Sequence, residues 1–274
     1  MPSYILCADD FGLSPAISQA IAALATGRCI NAVSCMATSP GWETDARLLD
    51  GFAFDSPVPG RSVQVGLHLV LAGEQALTRM TSQGDDGRLP SADRTMVLAH
   101  AGRLNLNEIG CEIDAQFAAF ADARRCAPDF VDAHQHVHVY PGIRERVIAA
   151  TRRHAPRAWI RNPTDRLSAV LQRPFAGKAV GSTLHALGFA AALSRAGIRS
   201  NDSFAGHYDF AGDYAALLPK FFRAPAAFHL VMCHPGAGSL ASDSIANARI
   251  AEAAVLGTLT LAERLSQLQR QASS

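Results

Sequence analysis

The chain has 274 residues, 49% of them hydrophobic and 18% charged, which supplies a buried core and argues against disorder. Twenty-five basic residues against 24 acidic ones leave a net charge of +1, and they are scattered rather than gathered into the basic stripe that tracks phosphates, which argues against nucleic acid as a partner. The length suits one domain spanning residues 1–274.

The first apolar run, Tyr4 to Ala8, reads as a buried strand. It is too short for the apolar stretch of a signal peptide, and no other apolar run reaches membrane-spanning length, so a cytoplasmic protein with no transmembrane segment is expected. Asp9 and Asp10 stand where this strand gives way to Phe11-Gly12. Neighbours on a strand point to opposite faces, but at a strand end two carboxylates can converge on one site, one bound to metal and the other free to accept a proton. A helix-capping pair is the plainer alternative, although Ser14-Pro15 already marks the start of a helix that should stop at Gly27.

The second run, Ala32 to Ala37, leads into Ser39-Pro40, which repeats the cap-then-proline pattern. The third, Val63 to Leu69, carries His68 in Gly66-Leu67-His68-Leu69. A lone histidine there is more often a satisfied core residue than a ligand, and needs partners. From about residue 72 to 105 the rhythm breaks at Gly84, Asp85, Asp86, Gly87 and Pro90. This reads as an inserted loop, either covering a substrate or simply solvated. Asn105 with Glu108 resembles a capping box opening a helix that runs to about Ala123.

The strand Phe130 to Ala133 opens the most specific stretch, Asp132-Ala133-His134-Gln135-His136-Val137-His138. Its three imidazoles would share a face if the backbone stayed extended. A divalent cation accepts neutral imidazoles, whereas rings packed together without one repel on protonation. Spacing does not choose among the three. Asp10, His68 and one or two of these histidines would make a mixed carboxylate and imidazole shell with open positions, as a catalytic metal site requires. Asp132 could hold a ring tautomer from behind or merely cap the strand. Arg161, after the run Ala158 to Ile160, could orient Asp9, bind substrate oxygens or form a surface ion pair. Asn201-Asp202-Ser203-Phe204 with His207 is polar enough to line a pocket, with no role assigned. His234 closes the run Phe228 to Cys233 before Pro235-Gly236, and could protonate a leaving group or bond to loop backbone. The six cysteines include no C-x-x-C pair and read as buried hydrophobes, with Cys233 beside His234 the one placed to meet a soft metal. Strands alternating with helices, with polar motifs at strand carboxyl ends, predict an α/β fold of the (β/α) barrel type, with an open doubly wound sheet as the alternative.

Taken in order, these motifs resemble the YdjC-like family, which includes chitooligosaccharide and hopanoid-associated deacetylases. The resemblance runs from Ala8-Asp9-Asp10-Phe11-Gly12-Leu13-Ser14 through Gly66-Leu67-His68-Leu69 and the histidine cluster to Met232-Cys233-His234-Pro235-Gly236. It implies a distorted barrel related to polysaccharide deacetylases, one divalent ion, magnesium or zinc, and removal of acetyl groups from N-acetylated amino sugars. The implied substrate is a small carbohydrate or glycolipid, and a homo-oligomer is left open. Carried over by position, the resemblance implies Asp10, His68 and His134 as metal ligands, Asp9 as general base and His234 as general acid; His136, His138 and Asp132 stay, from the motif itself, candidates for further ligands or supports. Two rivals stand beside it. One is another barrel metallohydrolase, a phosphoesterase or amidohydrolase, many of which carry His-x-His on the first strand, where this chain has two aspartates. The other is a non-catalytic metal- or carbohydrate-binding protein.

Overall fold

Every residue from Ile5 to Phe11 is buried, as a strand enclosed on both faces requires. The computed structural model describes residues 3–52, 62–238 and 243–273. In it this run belongs to β1 (Ser3–Phe11), followed along the chain by β2 (Ala32–Cys35), β3 (Gln64–Leu69), β4 (Phe130–Ala133), β5 (Trp159–Ile160), β6 (Ser203–Ala205) and β7 (Phe228–Cys233). They form one seven-stranded sheet in the order β5-β4-β3-β2-β1-β7-β6. Every pairing is parallel.

The period-two alternation of side chains along a strand separates two cores. Leu6, Ala8, Val33, Val65, Leu67 and Val131 pack outward with helix residues such as Ile17, Ile113 and Phe117. Ile5, Cys7, Ala32, Phe130, Trp159, Phe204, Leu230 and Met232 form a second cluster on the opposite face, the inside of the curl. Phe130 and Trp159 stack there with ring centroids 4.7 Å apart. A Cβ on Gly66 would stand 2.4 Å from the Phe130 ring, so glycine in β3 makes room for that stack.

The sheet curls until its outer strands face one another, and the join is made largely by a side chain. The Ile160 amide donates to the Arg199 carbonyl at 3.0 Å. Asn201 then accepts the Asn162 amide at 2.8 Å and donates to the Asn162 carbonyl at 2.7 Å, as a strand's peptide group would. The result is a single α/β domain built as a distorted barrel, as the sequence predicts.

The boundaries carry both agreements and differences. Ser14 caps the helix Pro15–Thr26 by accepting the Ile17 amide, and Gly27 ends it. Asn105 caps Leu106–Arg124 in the same way. The box is half-made, because Glu108 turns instead to the amide and hydroxyl of Thr81. Ser39-Pro40 does not open a helix: the hydroxyl of Ser39 donates to the Gly12 carbonyl, and the short helix Trp42–Ala46 begins after Gly41 without a side-chain cap. β6, three residues long, begins within the polar Asn201–Phe204 stretch, where no strand is predicted. The inserted segment also differs from a plain loop. It holds the helix Ala92–His100, capped by Ser91, and Glu112 accepts the amides of Leu77 and Thr78, tying it to Leu106–Arg124. Among the described residues no helix is long and apolar enough to cross a membrane.

Candidate active site

The polar residues of six strand ends meet at one mouth of the barrel, where the parallel strands present their carboxyl ends. A cavity of about 530 Å³ opens there, lined by Asp9, Asp10, His68, His134, His136, Met232 and His234 from strand ends, and by Glu74, Tyr208, Phe210, Asp243 and Ile245 from the loops.

Asp9 and Asp10 leave β1 in different directions because Asp10 sits at φ 66°, in the left-handed region that non-glycine residues seldom enter. Gly12, at φ 95°, follows where a Cβ would stand 2.6 Å from the Met36 carbonyl oxygen. The two carboxylates consequently serve different partners. Asp9 is gripped by both terminal nitrogens of Arg161, each at 2.6 Å. Asp10 turns Oδ1 to His134 Nδ1 at 3.1 Å and His68 Nε2 at 3.3 Å, and Oδ2 to Arg249 at 2.8 Å. Burial pushes the Asp10 carboxyl up, but His134, His68 and Arg249 outweigh it and hold it well below its usual range.

Asp132 works from behind this group. Its Oδ1 lies 2.6 Å from His68 Nδ1 and takes the Ser34 hydroxyl at 2.6 Å, while its Oδ2 pairs with Arg161 at 2.6 Å. This network assigns the Nδ1 proton of His68 to the bond with Asp132 and turns Nε2 toward Asp10. Against the opposing pull of burial, Asp132 and Asp10 raise the His68 ring to about 10, so the environment calls for positive charge between His68 and Asp10. A divalent cation meets that call. Asp10, His68 and His134 offer ligand atoms all within 4.8 Å of one another, and a carboxylate behind a metal-binding imidazole is the usual support for such a ligand. Asp9, His68 and Asp132 are equally close, but there the Arg161 guanidinium already supplies the positive charge.

The three cluster histidines do not share a face. β4 ends at Ala133, and Gln135 and His136 take φ of 54° and 58°, so the backbone coils where the shared-face expectation needs it extended. His134 alone reaches Asp10. His136 lines the cavity with its ring against Phe204 and His207, and burial, with His207 and Arg161 nearby, holds it well below its ordinary value. His138 is fully buried, bonded through Nε2 to the Arg161 carbonyl at 2.8 Å, and burial takes it down to about 4. It stands away from the Asp10 group and supports the strand end that carries Arg161. Arg161 is itself completely buried, paired with Asp9 and Asp132, and is neither at the surface nor among the residues that line the cavity. His234 places Nε2 4.0 Å from Asp9 Oδ2, and burial lowers its ring against the pull of the two aspartates. Cys233 points away, donating to the Cys7 carbonyl.

Sequence reasoning missed Ser34, Arg249 and Glu252. Arg249 and Glu252 lie on the helix Ala246–Leu256 beside buried Ala248 and Leu256. Two charged residues on the apolar face of a helix are the pattern that could have marked them.

The chain matches the family model described as YdjC-like protein over residues 3–267. It is 32% identical over 139 residues to a chitooligosaccharide deacetylase of Enterobacter sp. (strain 638), a match covering 51% of each chain. It is 31% identical over 205 residues to one from Klebsiella pneumoniae (strain 342), covering 70% of this chain and 76% of that one. For the Enterobacter protein, therefore, the chain spans about half of the relative's length. A crystal structure from Enterococcus faecalis V583, described as that of a candidate cellobiose-phosphate cleavage protein, shares the fold with a TM-score of 0.70 at 19% identity, covering 97% of this chain and 95% of that one.

Proposed function

This chain belongs to the YdjC-like family, and from that premise we propose that it is a metal-dependent carbohydrate deacetylase, hydrolysing the acetamido group of an N-acetylated amino sugar. Chitooligosaccharide deacetylases among its relatives support the substrate class. The observation that carries the chemistry is the division of labour at the end of β1. Asp10 faces two imidazoles, while Asp9, one residue away, is held by Arg161 within 4.0 Å of His234 across the same cavity.

Asp10, His68 and His134 would hold the ion, and the two imidazoles among them favour zinc over magnesium. When bound, the cation supplies Lewis-acid polarisation of the amide carbonyl and acidification of water. Asp9 takes the proton from the attacking water as the new carbon–oxygen bond forms. Arg161 keeps the carboxylate aimed, because both of its oxygens are fixed in a planar fork. His234, as the imidazolium, gives its Nε2 proton to the departing nitrogen as the carbon–nitrogen bond breaks and returns to the neutral ring, leaving acetate and a free amine. Burial, which lowers the His234 ring, favours release of that proton. All six cysteines are unpaired, which supports a reducing, cytoplasmic setting.

The test is acetate release from an N-acetylated chitooligosaccharide, with phosphate release from a sugar phosphate measured beside it. Asp9→Asn should cut turnover by about 10² to 10⁴ while bound metal stays at the wild-type level, whereas His134→Ala should lose the metal itself. Full activity in Asp9→Asn, or phosphate release in place of acetate release, overturns the reading.

A further inference from the structure

Glu252 belongs to none of the motifs and is completely buried. Its carboxylate accepts two hydrogen bonds, the backbone N–H of His234 at Oε2 and the phenol of Tyr208 at Oε1. These donors lie on different loops, one after β7 and the other after β6, and both residues line the cavity. Phe210, two residues beyond Tyr208, sets its ring edge-on to His234 with centroids 5.3 Å apart. The His234 ring has no comparable anchor of its own. Its Nδ1 is buried without a hydrogen-bond partner, and its Nε2 faces Asp9 at 4.0 Å. What aims this imidazole is therefore the placement of its backbone and the rings packed on it, and both lead back to one carboxylate.

We propose that Glu252 is the positioning residue for His234, joining the loops after β6 and β7 so that the imidazole is aimed at the departing nitrogen. This rests on the reading of His234 as proton donor. A carboxylate serves because it offers two acceptor oxygens to two donors, a backbone amide and a phenol, that meet from different loops. Misplacement of a reacting group by about 1 Å can cost up to about a hundredfold in rate, so the effect should fall on kcat rather than on substrate binding.

The test uses the full chain with the divalent metal that supports acetate release. Glu252→Asp keeps the charge but withdraws it by one methylene; Glu252→Gln keeps the reach, its amide oxygen accepting the His234 N–H and its NH₂ donating to the Tyr208 oxygen. Glu252→Asp should lower kcat about tenfold with KM within about threefold, and Glu252→Gln should recover most of that loss. Equal losses in both would overturn the inference, since restoring the reach and both hydrogen bonds in Glu252→Gln would then restore nothing. Wild-type kcat in Glu252→Asp would overturn it as well. If Glu252→Asp does not fold, Tyr208→Phe, which removes one of the two bonds, takes its place, with a fall in kcat supporting the inference and wild-type kcat overturning it. His234→Asn is measured alongside. If it turns over like the wild type, the proton-donor reading has failed and the positioning role falls with it. If it is impaired, Glu252→Asp introduced into it should add no further loss, and an additional tenfold drop would mean that Glu252 acts elsewhere.

Discussion

Two histidines outside the donor set govern how the fold meets acid. Ser203 Oγ accepts the Ala226 amide and so donates to His229 Nδ1, while His229 Nε2–H donates to the Phe221 carbonyl. That arrangement requires a neutral ring, and burial takes it from its ordinary 6.5 to about 4; His138 is also pushed to about 4. Between those values the unfolded chain binds protons that the folded chain refuses. Stability from these rings is therefore complete above about pH 6.5 and is lost progressively down to about 4. Thermal melts should show Tm dropping across that window, with a shallower slope in His229→Gln; an unchanged slope would refute the assignment. Glu252 has the opposite sign. Burial raises its carboxyl to about 7, so its favourable protonation is present below about 4.5 and lost as pH rises through 7. Glu252→Gln should accordingly gain Tm relative to the wild type at pH 8 compared with pH 5. At this scale Asp9, Asp10, His68 and His234 were legible as candidates because each follows an apolar run in a distinctive motif, while His134 was legible as one of three histidines and singled out only by the family resemblance. Arg249 and Glu252 were not, because a charged residue in a helix is ordinarily solvated, and only the packed fold reveals that these two face inward.

Strands were legible where an apolar run carries them, even when the strand is as short as the two residues of β5. Six of the seven strands read directly from apolar runs, since strands buried on both faces carry them. β6 did not, because three residues flanked by Asn201 and Asp202 give no run to detect. The alternate spacing of His134, His136 and His138 misled for a related reason: periodicity reports side-chain direction only while the backbone stays regular, and here it coils immediately after Ala133. Gly66 shows how tightly one element constrains another. With three Phe130 ring atoms at 2.4–2.5 Å from any added Cβ, Gly66→Ala should cost roughly 1–3 kcal/mol by overpacking. Chemical denaturation would read it, and Gly66→Ala combined with Phe130→Leu should recover part of the loss.

At the scale of the whole molecule, the barrel is closed where β5 and β6 are too short to pair, and the Asn201 amide stands in for a missing stretch of ladder. No local pattern in the chain foretells this, because Asn162 and Asn201 are 39 residues apart. Asn201→Ala would leave the amide and carbonyl of Asn162 without their partner, at a cost of about 2–3 kcal/mol, and amide exchange should rise at Ile160 and Asn162 ahead of the rest of the sheet. Uniform exchange would mean that the join bears no strain of closure.

The groups assigned to the chemistry stand on strand ends, while Glu74 and Ile245 reach the same cavity from the connecting loops. Reactivity and selectivity are thus written in separable parts of the chain. If the proposed deacetylation holds, a library that varies those two positions should redirect which acylated sugar is accepted while leaving metal uptake untouched, which would make the scaffold a starting point for directed evolution of new deacylation specificities.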